Sequence, residues 1–177
     1  NILKMESFPI FIDIKKKPVT IFGGGDIALR KAILLVKANP TITVISKNFS
    51  KDFLNFKRKN QIIFIRKSFE PNDIKEQTLI IAATNDQSIN KAISKSATAK
   101  RIPVNVVDQP DLCTFTMGSI VERDALVIAI SSGGKAPVLA RMIREKMEAL
   151  IPSSYAKLVL CAGSMRKIVK KKIIHME

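Results

Sequence analysis

One stretch constrains the fold more than any other: Val19-Thr20-Ile21-Phe22-Gly23-Gly24-Gly25-Asp26-Ile27-Ala28. A short apolar run meets three glycines and opens into a segment of helical spacing. The pattern is G-x-G-x-x-A, on Gly23, Gly25 and Ala28. Gly23 allows a tight turn, Gly25 lets backbone approach a pyrophosphate, and Ala28 lets the helix pack closely on the strand. The helix start then offers unpaired N–H groups and partial positive charge to an anion. By itself such a pattern reads equally as a plain strand-to-helix turn, so its context decides.

The chain around it alternates. Phe8 to Ile14 reads as a short strand or an extended lead-in, and Val19 to Phe22 as a first core strand, apolar enough for burial on both faces. Apolar residues recur at helical spacing from Asp26 to Lys37, and Asn39-Pro40 closes that helix. Thr41–Ser46, Gln61–Arg66, Thr78–Ala83 and Pro103–Val107 read as further strands. A polar helical or irregular piece, Phe49 to Asn60, and a helix from about Gln87 to Lys100, capped by Thr84-Asn85-Asp86, lie between them. This spacing predicts an α/β, Rossmann-like doubly wound parallel sheet. After Asp108 the rhythm changes. Phe115–Val121 and Ala125–Ser131 read as a hairpin linked by Glu122-Arg123-Asp124. A second Gly-rich turn, Ser132-Gly133-Gly134-Lys135, leads to Pro137 at the start of a helix reaching Leu150. An amphipathic helix is expected from Ser154, ending in Lys167 to Lys172. The expected organisation is a dinucleotide domain over 1–112, a hairpin-and-helix segment over 113–150, and a helical tail over 151–177.

In a doubly wound sheet the ligand lies outside the carboxyl ends of the strands. Those ends carry Gly23 to Asp26, Ser46-Lys47-Asn48, Ala83-Thr84-Asn85-Asp86 and Asn105 to Asp108, which should converge on one crevice. That convergence carries the dinucleotide reading. A ribose-binding Asp or Glu normally follows the glycines by about 20 residues; here Ser46, Lys47 and Asn48 stand instead, so the residues leave NAD against NADP open. Lys47 reads as a welcome for a 2′-phosphate or as a solvated loop lysine. Asp108 reads equally as a general base at the crevice mouth and as a turn-former before Gln109-Pro110. The loop Ser131 to Ala136 reads as an anion-binding turn or as a connector.

Composition narrows the chemistry. With 30 basic and 15 acidic residues the chain carries +15, which suits a polyanionic partner or is simply a lysine-rich composition. One Tyr and no Trp leave little for base stacking, so no nucleic-acid partner is expected. Two scattered cysteines, Cys113 and Cys161, and one histidine, His175, fit neither a zinc site nor a Ser-His-Asp triad. Both cysteines read as ordinary small apolar residues of a reduced, cytoplasmic protein. No apolar run of roughly 18 residues predicts a membrane span, and no signal peptide opens the chain. It starts at Asn1 rather than Met, as a trimmed or partial chain would.

The assembled motifs resemble a known family, the N-terminal half of siroheme synthase and its stand-alone relatives, the precorrin-2 dehydrogenase/sirohydrochlorin ferrochelatases. The resemblance rests on Phe8-Pro9-Ile10-Phe11, Gly23 through Ala32, Ile81-Ala82-Ala83-Thr84-Asn85-Asp86, Asn105-Val106-Val107-Asp108, and Ser131-Ser132-Gly133-Gly134 with Pro137-Val138-Leu139-Ala140-Arg141. It implies NAD-dependent oxidation of precorrin-2 to sirohydrochlorin, followed by insertion of substrate Fe²⁺ to give siroheme, in an interlocked homodimer. It implies a catalytic role for Asp108 and cofactor contacts at Gly23, Gly25, Asp26, Ile27, Lys47, Asn48 and Thr84. Ser132, Gly133, Gly134, Lys135 and Arg141 become candidate anchors for the carboxylates of the tetrapyrrole. In some members a regulatory phosphoserine falls on the Ser132 position. No resident metal is implied, because iron is a substrate.

Two departures from the family pattern stand out. Gly118 replaces a usual proline, which predicts a looser strand. Ala136 replaces a Ser or Thr, which removes a helix cap worth roughly 0.5–2 kcal/mol. No methyltransferase module is expected in this chain. The alternatives are a dehydrogenase without chelatase activity, a non-catalytic dinucleotide-sensing module, and, on charge alone, a nucleic-acid binder.

Overall fold

Every strand of the main sheet runs parallel, and each is short. In the computed structural model, which describes residues 7–174, β1 (Pro18–Phe22), β2 (Thr41–Ser46), β3 (Ile62–Arg66), β4 (Leu79–Ala82) and β5 (Val104–Val106) form one sheet in the order β3-β2-β1-β4-β5. The helices between them are α1 (Asp26–Val36), α2 (Lys51–Lys59) and α3 (Gln87–Ala99). This is the doubly wound sheet that the alternation predicts. The strand order reverses between β1 and β4, where such sheets bind ligands.

Two compact units are present, Asn1–Thr116 and Met117–Glu177. In the first, alternate residues of each strand face opposite ways. Phe22, Ile45, Ile80, Ala82, Val104 and Val106 form one buried cluster with Ile93 and Ala97 of α3 and with Ile74. On the other parity Val19, Ile21, Val44 and Ile81 are buried too, on the side that the right-handed crossovers give to α1 and α2. Along α1 the buried residues Ala28, Ala32 and Leu35 make one stripe. Ala28 is fully buried, which fits its assignment as the small residue of the glycine motif. The edge strand β3 is covered on one side only: Ile62 is buried, whereas Ile63 and Ile65 are exposed.

The lead-in Phe8 to Ile14 joins no strand; Ile14 is buried, and Phe8, Ile10 and Phe11 stand in solvent. The polar piece after β2 is helical because Ser50 caps it, accepting a hydrogen bond from Phe53 N at 3.3 Å, and because Phe53 is fully buried. Phe53 meets the Phe64 ring edge-on at 4.9 Å between centroids.

The second unit holds a hairpin, β6 (Ser119–Arg123) and β7 (Leu126–Ile130), then α4 (Pro137–Leu150) and α5 (Ser154–Ile174). The hairpin link differs from expectation. Glu122 and Arg123 belong to β6, paired with Val127 and Leu126, and the turn is Asp124-Ala125, with Asp124 at φ +53°. Arg123 is held in the strand because its guanidinium donates to the carbonyls of Ile151 (2.8 Å) and Glu148 (3.0 Å). At Gly118 a Cβ would fall 2.5 Å from the Ile130 carbonyl oxygen, so the backbones approach where a side chain would not fit without a shift. Ala136 offers no side-chain cap to α4. The tail is helical but not one-sided. Leu158 and Leu160, two residues apart, point about 200° from each other, and both are exposed along with Met165, Ile168 and Val169. His175 lies outside the described residues.

Truncating Phe53 empties the contact between α2 and β3. Phe53→Ala is expected to cost about 3–5 kcal/mol of folding free energy, read as a lower urea midpoint with an unchanged slope.

Candidate dinucleotide site

The glycine turn is held by backbone, not by side chains. Gly23 N donates to Ile45 O of β2 at 3.0 Å, and Ala83 N donates to Phe22 O at 2.7 Å. Gly23 sits at φ +125°, a conformation that glycine adopts without penalty, and a Cβ on it would overlap the Ala83 carbonyl. Gly24 is the tightest of the three, since a Cβ would overlap the Asn48 carbonyl. Ser50 N closes this contact by donating to Gly24 O at 2.7 Å. Gly25 is different: nothing lies within 4 Å of where its Cβ would be. As the N-cap of α1 it brings no side chain to the first amides of the helix, which leaves them facing open space, as a bound pyrophosphate requires.

Around this turn lies a cavity of about 540 Å³. Gly23, Gly25, Lys47, Asn48 and Thr84 line it together, as do Gly24, Phe49, Lys67 and Asp86. Asp26 and Ile27 lie in the first turn of α1, exposed, and are not among the lining residues. Thr84 is fixed by Asn90, a buried residue of α3. The Asn90 Oδ1 accepts from Thr84 Oγ1 at 2.7 Å and from Thr84 N at 3.2 Å, and its Nδ2 donates to Thr84 O at 3.0 Å. Asn90 is absent from the expected site; its signal is an amide on the helix face it shares with Ile93, Ser94 and Ala97. Asp86 caps α3, accepting from Ser88 N and Ile89 N. The bond from the Ser88 hydroxyl, then that from Ile89 N, holds its carboxyl below the usual carboxylate range, and Lys47 adds to this.

Asp108 stands just beyond β5, exposed, at φ +58°, and is not a lining residue of the cavity. Its turn is tied by Cys113, whose thiol is not the ordinary apolar filler expected. The sulfur accepts from Val106 N at 3.1 Å and lies 3.2 Å from Val106 O and 3.4 Å from Gln109 O, the two carbonyls open to its S–H. Asn105 Nδ2 adds a bond to Phe115 O at 3.1 Å. Lys31 of α1 shares this neighbourhood. Burial first, then Arg30, lowers its pKa from the usual 10.5, while Asp108 and Cys113 pull it upward.

The remaining candidates belong to the second unit. Ser132 Oγ accepts from Ala136 N at 3.1 Å and Lys135 N donates to Ser132 O at 3.2 Å, so Ser132 fastens the turn into α4. Gly133 and Gly134 both have positive φ. Arg141 is exposed and, with Ser119, Ile120, Pro137, Val138 and Arg144, lines a cavity of about 480 Å³. Among the described residues no three His, Cys, Asp or Glu side chains are grouped to hold a metal, and no helix is long and apolar enough to cross a membrane.

Comparison with known proteins agrees with this geometry. Residues 10–119 match a family described as putative NAD(P)-binding, and residues 123–150 match one described as sirohaem biosynthesis protein central. The chain is 53% identical over 173 residues to the siroheme synthase of Ruthia magnifica subsp. Calyptogena magnifica, and 44% identical over 174 residues to that of Nitrosomonas europaea. Each match covers 98% of this chain but 37% of the relative, so the chain spans little more than a third of their length. A solved structure titled "SirC, precorrin-2 dehydrogenase" superposes with a TM-score of 0.71 at 26% identity, over 87% of this chain and 76% of that one.

Two measurements test the site. Gly24→Ala is expected to displace the Asn48 backbone, lowering both the melting temperature and dinucleotide affinity. Gly25→Ala is expected to leave the melting temperature nearly unchanged while dinucleotide affinity falls, since its methyl group enters only the open space. Titration of Lys31 gives a separate check. With its folded pKa lowered, the unfolded chain binds more protons between that value and 10.5, and stability contributed by this group rises with pH across that window. The parent chain is therefore expected to gain stability relative to Lys31→Met as pH approaches 10.5, measured by urea denaturation at stepped pH.

Proposed function

This chain belongs to the putative NAD(P)-binding family, and from that premise we propose that it oxidises precorrin-2 to sirohydrochlorin with NAD⁺ and then inserts Fe²⁺ to form siroheme. The observation that carries the reading is a glycine turn with open space over Gly25, in a chain whose whole run is similar to siroheme synthases. The resemblance of the Asn105 to Asp108 segment adds the acid–base group.

When bound, the dinucleotide supplies a hydride acceptor. The residues do the rest. Amides at the start of α1 and the bare Gly25 hold the pyrophosphate. Thr84, pinned by Asn90, and the loop Lys47-Asn48 border the same cavity. Dehydrogenation removes a hydride and a proton from the tetrapyrrole, and Asp108 takes the proton. Metal insertion exchanges two pyrrole protons for Fe²⁺, and the same carboxylate, exposed to solvent, accepts them one at a time, releasing the first to water before taking the second. One exposed carboxylate suits both steps because neither needs a resident metal. Ser132, Gly133, Gly134, Lys135 and Arg141 bind carboxylates of the substrate, whose charge the +15 chain attracts. The chain acts as a homodimer; the exposed Val138, Leu139, Met142 and Ile143 of α4 support a self-association face.

The test is incubation with precorrin-2, NAD⁺ and Fe²⁺, following NADH and siroheme spectra separately. Asp108→Asn is the informative variant, because asparagine tolerates the left-handed backbone at φ +58°. Both activities are expected to fall roughly 10²–10⁴-fold with NAD⁺ affinity retained. Turnover at the parent rate would remove Asp108 from its role, and no NADH from the parent chain would overturn the dehydrogenase.

A further inference from the structure

After Asp108 the chain turns back and runs along the free edge of the sheet. β5 is an edge strand, so its outward backbone groups need partners from elsewhere. The residues that follow supply them, partly through side chains. Val104 N donates to Thr114 Oγ1 at 2.8 Å, and Thr114 N donates back to Val104 O at 2.9 Å. Two residues further along β5, Val106 N donates to the Cys113 sulfur at 3.1 Å.

That sulfur is itself held in place. Cys113 N donates to Pro110 O at 3.0 Å. The carbonyl before it, Leu112 O, accepts from Ser94 Oγ of α3 at 2.7 Å. From this anchored position the sulfur reaches both sides of Asp108. Its S–H has two carbonyls within range, Val106 O at 3.2 Å and Gln109 O at 3.4 Å. The backbone bond closing the same turn, from Gln109 N to Val106 O, is long at 3.4 Å. Between those two residues Asp108 sits in the left-handed region, at φ +58°. Aspartate adopts that conformation as a minor one, and it persists where the surroundings impose it. The Asp108 side chain is exposed, so the backbone beneath it sets its direction. Valine or alanine would fill the half-buried space of Cys113, but neither could accept from Val106 N or donate to a carbonyl. What sulfur adds to packing is the closure of this turn.

We propose that Cys113 is a positioning residue for Asp108: its sulfur closes the turn from Val106 to Gln109 and so aims the carboxylate at the proton it takes. The inference rests on the role given to Asp108 above and adds what holds that group in place.

Steady-state NADH formation from precorrin-2 and NAD⁺ by the full chain tests it, with Cys113→Val, Cys113→Ala and Cys113→Ser. In the valine and alanine variants kcat is expected to fall roughly ten- to a hundredfold, with KM for precorrin-2 and NAD⁺ affinity within about threefold of the parent. Cys113→Ser keeps a donor and an acceptor at that position and is expected to recover most of the rate. Added to Asp108→Asn, Cys113→Val is expected to lower kcat no further, because the two residues act as one unit. Losses that multiply in the double variant would overturn the proposal. So would a valine variant at the parent rate, or a serine variant as slow as the valine one. Valine and alanine variants that both lack a melting transition would make the sulfur purely structural and overturn it as well. Asp108→Asn at the parent rate would instead remove Asp108 from its role, and the positioning role with it. Absence of NADH from the parent chain would overturn the dehydrogenase reading itself.

Discussion

Backbone against backbone is the contact on which the first unit depends. Between β1 and α1 the chain passes so close to its neighbours that Gly23 touches the Ala83 carbonyl and Gly24 the Asn48 carbonyl. Those carbonyls belong to the loops after β4 and β2, on either side of β1. Three loops are thereby drawn together at the point where strand order reverses. The glycines bring no side chain to this turn, and the space above Gly25 stays open. The cavity is a consequence of the close approach beneath it.

Around that turn the polar residues fall into two kinds. Some hold shape: Asn90 grips Thr84 through three hydrogen bonds, Asp86 caps α3, and Lys67 ties Asp73 to Glu70. Others have no such structural task in the fold, Lys47 and Asp108 foremost. Polar groups already satisfied by their neighbours make rigid walls. Those left facing solvent are the ones available to a ligand.

Legibility in the sequence follows the range of the interaction concerned. Thr41–Ser46 is readable because β-branched residues and alternation are local, and α3 because Asp86 caps it within three residues. The doubly wound order follows from alternation and crossover handedness. The hairpin link begins two residues later than expected because Arg123 is held by carbonyls 25 and 28 residues away. Gly24 occupies a variable position of the motif, and only the approach of Asn48, far along the chain, makes it obligatory. Cys113 reads as apolar by type, yet the turn after β5 surrounds its sulfur with backbone polar groups. The lead-in Phe8 to Ile14 has the composition of a strand but pairs with none. What escapes is what tertiary partners decide.

The two cysteines illustrate how far one residue type can be divided by its surroundings. Cys113 is enclosed by the backbone of Val106 and Gln109, whereas Cys161 stands in solvent on α5. A thiol-directed reagent used sparingly meets Cys161 first and leaves the Asp108 turn undisturbed. In a chain without tryptophan, that solvent-facing sulfur is a natural attachment point for an optical reporter, placed in one unit while the cavity of the other remains chemically unaltered.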